Sequence, residues 1–111
     1  MARSVIGIVI PALNESPTVG DVVRQTLEVI PDAVVVVVDA CNLTRNLVLV
    51  GELFAFGVPV VVVLNMVDLA QRRGLSIDAP GLSRRLGAPV VEMIARKGIG
   101  LDNVRRALAG V

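Results

Sequence analysis

Two short stretches of this sequence carry groups that can read a purine base. Asn65-Met66-Val67-Asp68 follows one apolar run and Ala95-Arg96-Lys97-Gly98 follows another. A carboxylate at Asp68 can accept both the N1–H and the exocyclic amine of guanine, a pattern that adenine does not return, while the Asn65 amide braces its loop and reaches the N7 side of the ring. The backbone N–H of Ala95 can donate to guanine O6, with Arg96 and Lys97 flanking the base. A full helix and strand separate the two stretches, so the pair is more specific than either alone. Each also has a structural use. Asn65 and Asp68 suit a turn and a helix cap, and Arg96, Lys97 and Gly98 suit an ordinary solvated loop.

The phosphate side of a nucleotide has no matching apparatus. A phosphate loop, Gly-x-x-x-x-Gly-Lys-Ser/Thr, supplies backbone amides and a lysine for the phosphates and a hydroxyl for Mg²⁺. Nothing in the first strand, loop and helix of these 111 residues fits it, and Lys97 is the only lysine. Protein-bound Mg²⁺ is therefore not expected. Asp78-Ala79-Pro80-Gly81 is the one literal match to the Asp-x-Pro-Gly switch motif, but it follows the Asn65 stretch and ends no strand; Asp78 reads better as the cap of a helix beginning at Ala79. The absence of histidine removes imidazole bases and most catalytic zinc sites. No catalytic residue is assigned, and the reading leans away from an enzyme. Cys41 is the single cysteine and cannot form an internal disulfide, which together with the lack of a secretory leader fits a cytoplasmic protein.

The elements that must hold these stretches alternate in kind. Val5 to Ile10, Ala33 to Val38, Val58 to Leu64 and Pro89 to Ile94 read as strands, and Thr18 to Ile30, Leu43 to Phe56, Ala79 to Leu86 and Leu101 to Ala109 as the helices that follow them. Gly57 and Gly87 suit helix ends. Such alternation predicts an α/β fold, a four-stranded parallel sheet with helices packed on it, in a Rossmann-like or GTPase-like half domain. Order 1-2-3-4 comes first because the second and third strands are the most continuously apolar, with a doubly wound 2-1-3-4 as the alternative. At 111 residues, 54% hydrophobic and mean hydropathy +0.75, the whole chain is expected to be one α/β domain. Either order places ligands at the carboxyl ends of the strands.

Composition narrows the partners. Eleven basic residues balance ten acidic ones, and 2% aromatic content offers little for base stacking, so no nucleic-acid partner is expected. Leu47 to Leu64 is 18 residues long with Glu52 as its one charge, close to the ~20 apolar residues of a membrane-spanning helix. Gly57-Val58-Pro59 interrupts it, and the β-branched run Val60 to Val63 suits a buried strand, so no membrane span is expected.

From Pro31 to Gly110 the sequence resembles the carboxyl-terminal half of the G domain of ferrous iron transport protein B. The resemblance rests on Asp39-Ala-Cys-Asn-Leu-Thr-Arg-Asn-Leu47, Gly57-Val-Pro-Val-Val-Val-Val-Leu-Asn-Met-Val-Asp68 and Ala95-Arg-Lys-Gly98. Met66 in place of the lysine of the general Asn-Lys-x-Asp motif favours this family over other GTPases. The resemblance implies guanine contacts at Asn65, Asp68 and the Ala95 backbone, and a guanine nucleotide as ligand. One departure is Ile94, which stands where the family usually has a bracing serine. Residues 5–23 resemble instead the opening of family-2 glycosyltransferases, in Pro11-Ala-Leu-Asn-Glu15, where Asn14 and Glu15 would touch a base or ribose; that family's Asp-x-Asp occurs nowhere. Together the two resemblances imply a composite, natural or engineered, joined near Pro31, with residues 1–30 as a glycosyltransferase-like βα unit and 31–111 as the GTPase-like segment.

Three functions compete on this reading. They are a weak guanine-nucleotide-binding domain without efficient hydrolysis, a non-binding α/β scaffold, and a nucleotide-sugar-binding fragment. In the 1-2-3-4 order all three right-handed crossovers cover one face of the sheet, leaving the last helix for the other, and the apolar surface left open suggests a homodimer.

Overall fold

The computed structural model describes residues 6–10, 32–55 and 57–110. Two valine-rich strands form its centre, β2 (Ala33–Asp39) and β3 (Val60–Asn65). β-Branched side chains are stiff at χ1 and fit the extended chain, and a strand that is apolar at every position must be covered on both faces. The two pair in parallel, from Val34 opposite Val60 to Asp39 opposite Asn65. β1 (Ile6–Val9) lies parallel along the other edge of β2, and β4 (Val90–Glu92) along the other edge of β3. The order is β1-β2-β3-β4. This confirms the first of the two predicted orders and overturns 2-1-3-4, in which β1 would have separated β2 from β3. The physical reason is that the two most apolar strands gain most from a neighbour on each edge.

Four helices are described: α1 (Leu43–Ala55), α2 (Val67–Arg72), α3 (Ala79–Leu86) and α4 (Leu101–Ala109). Side-chain alternation splits the sheet into two layers. Val34, Val36, Val38, Val60, Val62 and Leu64 face Leu49, Val50 and Leu53 of α1, together with Ala79 and the partly buried Leu86 of α3. Val35, Val61 and Val63 face Val104 of α4, with Ala107 and Leu108 beside it. Of the described helices, α1 and α3 thus share one face and α4 takes the other, as the order requires. α4 rests on β3 and β4. Ile6 and Ile8, in register with Ala33 and Val35 on the outer strand, stay 44% and 67% exposed.

Several boundaries move. The 47–64 stretch divides into the end of α1, a turn and β3, and no helix among the described residues is long and apolar enough to cross a membrane. β4 stops at Glu92, because Ile94 leaves the ladder to bridge antiparallel to Ile99. β3 starts at Val60, two residues late, after Pro59, whose carbonyl accepts from Val34. α2 was not expected. Its six residues carry too short a pattern to register as a helix by periodicity. α3 begins as predicted, with the Asp78 carboxylate accepting the Gly81 N–H at 3.0 Å, and ends at Gly87, whose N–H donates to the Ser83 carbonyl. The predicted helix Thr18 to Ile30 and the candidates Asn14 and Glu15 lie outside the described residues.

Candidate functional site

Parallel pairing brings the carboxyl ends of β2, β3 and β4 to one edge of the sheet, and there the two stretches singled out in the sequence meet. Asn65 is the last residue of β3. Met66 then takes a left-handed conformation, φ 62°, the only positive φ at a non-glycine among the described residues. Such a conformation costs a side-chain-bearing residue of order 1–3 kcal/mol and is held only where the surroundings demand it. Here it turns the chain from strand into α2 within one residue and sets Asp68 in the helix's first turn.

The second stretch arrives through β4. Its register with β3, Leu64 opposite Glu92, is prolonged by the Met93 N–H donating to the Leu64 carbonyl at 2.7 Å. A 3₁₀ turn, Ala95–Lys97, follows. It is closed by the Gly98 N–H donating to Ala95 and by the Ile94–Ile99 bridge.

Two side-chain contacts join the loops across about thirty residues of sequence. The Ala95 N–H donates to Asn65 Oδ1 at 3.0 Å. The Arg96 guanidinium donates to Asp68 Oδ2 and forms an ion pair with it. Arg72, one helical turn along α2, approaches the same oxygen at 4.0 Å. The Asp68 side chain keeps 13% of its surface, and its other oxygen, Oδ1, is buried with no hydrogen-bond partner. Desolvation alone would raise the Asp68 pKa. The Arg96 hydrogen bond, the Leu69 amide and the charges of Arg96 and Arg72 outweigh it and hold the carboxyl below its ordinary value. A depressed carboxylate contributes its stabilisation at and above the ordinary carboxylate range and loses it as pH falls through the lowered value. The contact is therefore complete at neutral pH.

The structure thus brings Asn65, Asp68, Ala95 and Arg96 together. Lys97 is exposed, and Met66 is half-buried. Sequence reasoning aimed the Ala95 N–H at a base; in the structure Asn65 accepts it. It placed Arg96 beside a base; in the structure Arg96 sits on the carboxylate. A third contributor went unnoticed. Asn46 on α1 is buried to 5% exposure and accepts the Asp39 N–H on its Oδ1 at 3.0 Å, while the Asp39 carboxylate accepts from the Cys41 N–H and the Asn42 side chain. A polar residue on a predicted buried helix face is the signal that could have found it. Asp39, Asn46, Asn65 and Met66, with Ile10, Val37 and Val38, line a cleft of about 220 Å³ at the carboxyl ends of β1, β2 and β3. A larger hollow of about 530 Å³ lies along α3 by Ile77, Asp78 and Arg85 and holds none of the base-reading candidates.

Such an arrangement offers one carboxylate, one side-chain amide and one backbone amide at a strand-end edge, the groups needed to recognise a planar ligand with adjacent donors and an acceptor. The family model for the N-terminal region of ferrous iron transport protein B matches residues 12–108. The match runs across Pro31, where a join between two parents was expected, and nothing in the comparisons shows a glycosyltransferase segment. The Fe(2+) transporter FeoB of Legionella pneumophila strain Paris is 46% identical over 77 residues, covering 69% of this chain and 10% of that protein. The corresponding transporter of Salmonella typhimurium is 43% identical over the same length. The chain spans about a tenth of the length of these relatives. Among solved structures, the cytosolic domain of L. pneumophila FeoB superposes with a TM-score of 0.77 at 38% identity, covering 82% of this chain and 36% of that one. The FeoB G-domain from Methanococcus jannaschii gives 0.75 at 32% identity, covering 86% and 61%. The mGMPPNP-bound NFeoB from S. thermophilus gives 0.73 at 40% identity, covering 78% and 34%.

Proposed function

The chain belongs to the family of ferrous iron transport protein B, and on that premise we propose that it is a G-domain fragment that binds guanine nucleotides through the base and does not hydrolyse GTP. The observation that carries this reading is the convergence of Asn65 and Asp68 with the Ala95–Lys97 turn, joined by the Asn65–Ala95 hydrogen bond and the Arg96–Asp68 ion pair. Asp68 accepts the N1–H and exocyclic amine, Asn65 reaches the N7 side, Ala95 donates to O6 once Asn65 releases it, and Met66, Arg96 and Lys97 frame the ring. That one relative is described as mGMPPNP-bound supports the ligand class.

Hydrolysis calls for a different set of groups. Phosphoryl transfer is catalysed by positioning the phosphates and stabilising their charge, and these 111 residues contain neither the phosphate-loop motif nor any lysine but Lys97. Titration with GDP, ADP and UDP tests the proposal. GDP binds best and weakly, free guanosine competes with it, and GTP turnover stays at the level of a boiled control. Equal binding of GDP and ADP overturns the base reading, and phosphate release that is lost on Lys97→Ala overturns the absence of hydrolysis.

The scaffold without a ligand is the second reading. The exposed Ile6, Ile8 and Ile10 favour a further property, self-association through the face that α4 leaves open among the described residues. Sedimentation at several concentrations should show a dimer, and a single monomeric species at high concentration counts against it. A cytoplasmic location, expected from the sequence, belongs to the same proposal.

A further inference from the structure

Asp68 presents neither of its oxygens freely. Oδ2 is held by Arg96, with Arg72 behind it, and Oδ1 is shut off from solvent without a partner. Recognition of adjacent ring N–H and amine donors requires both oxygens in the plane of the base. The neighbouring donor is engaged as well, since the Ala95 N–H points to Asn65 Oδ1 rather than outward. The carboxylate and the backbone amide that would read a base are thus engaged or buried, and the Ala95–Asn65 hydrogen bond ties the 95–97 turn to the end of β3.

We propose that Arg96 is a latch that sets the affinity of the site: its guanidinium occupies the carboxylate that recognises the base, and a purine ring with adjacent N–H and amine donors binds by displacing it from Asp68. This deepens the base-reading proposal and rests on it. The buried Oδ1 explains why displacement benefits the protein. An unpaired buried carboxylate oxygen is costly, and a ligand donating to both oxygens satisfies one that the Arg96 contact leaves unsatisfied. Rings lacking the second donor cannot compete for both positions. Every ring that must displace Arg96 loses apparent affinity by the same open fraction, so the latch lowers affinity and leaves the order of preference to Asp68 itself. The latch also remains movable, because the Arg96 side chain is 53% exposed.

The apparent affinity of a site that is open only part of the time falls by the open fraction. An exposed ion pair of ordinary strength corresponds to a ~2- to 5-fold effect. The test uses free guanosine, which is uncharged, so its binding carries no phosphate electrostatics. R96Q should bind guanosine ~2- to 5-fold more tightly than the wild type, and inosine, which lacks the exocyclic amine, more tightly by the same factor, so that the ratio of the two affinities stays unchanged. Raising salt from about 0.05 to 0.5 M screens the pair and should tighten guanosine binding to the wild type, leaving R96Q flat. R105Q, which removes an equal charge at a distant exposed pair with Asp102, should behave as the wild type. Guanosine binding equal or weaker in R96Q, with the wild type binding normally, overturns the latch and leaves base reading intact. Absence of guanosine binding by both proteins overturns base reading and the latch with it.

Discussion

Replacing Asp68 by asparagine should abolish any preference for GDP over ADP. The aspartate offers two acceptors, and asparagine offers one acceptor and one donor of nearly the same shape, so the substituted amide sets an N–H against an N–H of guanine. Loss of a charged hydrogen-bond partner costs about 1.5–3 kcal/mol, a ~10- to 100-fold loss of GDP affinity. ADP, which presents no such donor pair, should change little. Calorimetric titration of both nucleotides against both proteins measures the difference. The result distinguishes a base contact from a structural cap. A cap at the start of α2 would lower stability and leave the ratio of GDP to ADP unaltered. It also separates the direct role of Asp68 from that of Arg96, since D68N removes the latch and the acceptor together and should weaken guanosine, whereas R96Q should strengthen it. A retained preference for GDP in D68N would remove Asp68 from the site.

How much of this was legible in the sequence depends on the range of the interaction. The strands could be placed because β2 and β3 are valine at nearly every position, and burial on both faces leaves a continuous run rather than an alternation. Their order followed from the same fact. The cap at Asp78 was readable because its contact with Gly81 spans three residues. The candidate site was readable as two separate loops, since each ends a strand and carries a recognisable set of polar groups. Its internal wiring was not. The Arg96–Asp68 and Ala95–Asn65 contacts join residues 28 and 30 apart, and only the β3–β4 register brings them into reach. α2 escaped because six residues hold under two helical turns, too few to reveal a period. The composite reading of the amino-terminal segment came from a short local likeness, whereas the family match begins at residue 12 and extends through 108.

Gly100 is a position whose importance no periodicity reveals, and Gly100→Ala should destabilise the protein by about 2–4 kcal/mol. Its φ of +96° lies in the left-handed region, and a Cβ there would run into the backbone carbonyl oxygen of Glu92 and stand 3.1 Å from the Met93 Cα. Both obstacles are backbone, so no rotamer change relieves them. Either the end of β4 or the start of α4 must move. Since the Glu92–Met93 peptide continues the β3 ladder and Gly100 accepts the Val104 and Asn103 amides at the head of α4, such a move pulls Val104 away from Val61 and Val63. Gly74→Ala supplies the comparison: φ is +76° but nothing lies within 4 Å of the added carbon, so only the conformational cost of about 1 kcal/mol remains. Urea unfolding of the two variants beside the wild type measures both. A domain of this size has roughly 5–15 kcal/mol in all, so Gly100→Ala should shift the midpoint visibly and Gly74→Ala only slightly. Equal shifts would mean that backbone crowding at Glu92 contributes nothing. The 95–97 turn hangs between β4 and Gly100, so Gly100→Ala should also weaken guanosine binding, and Gly74→Ala should not.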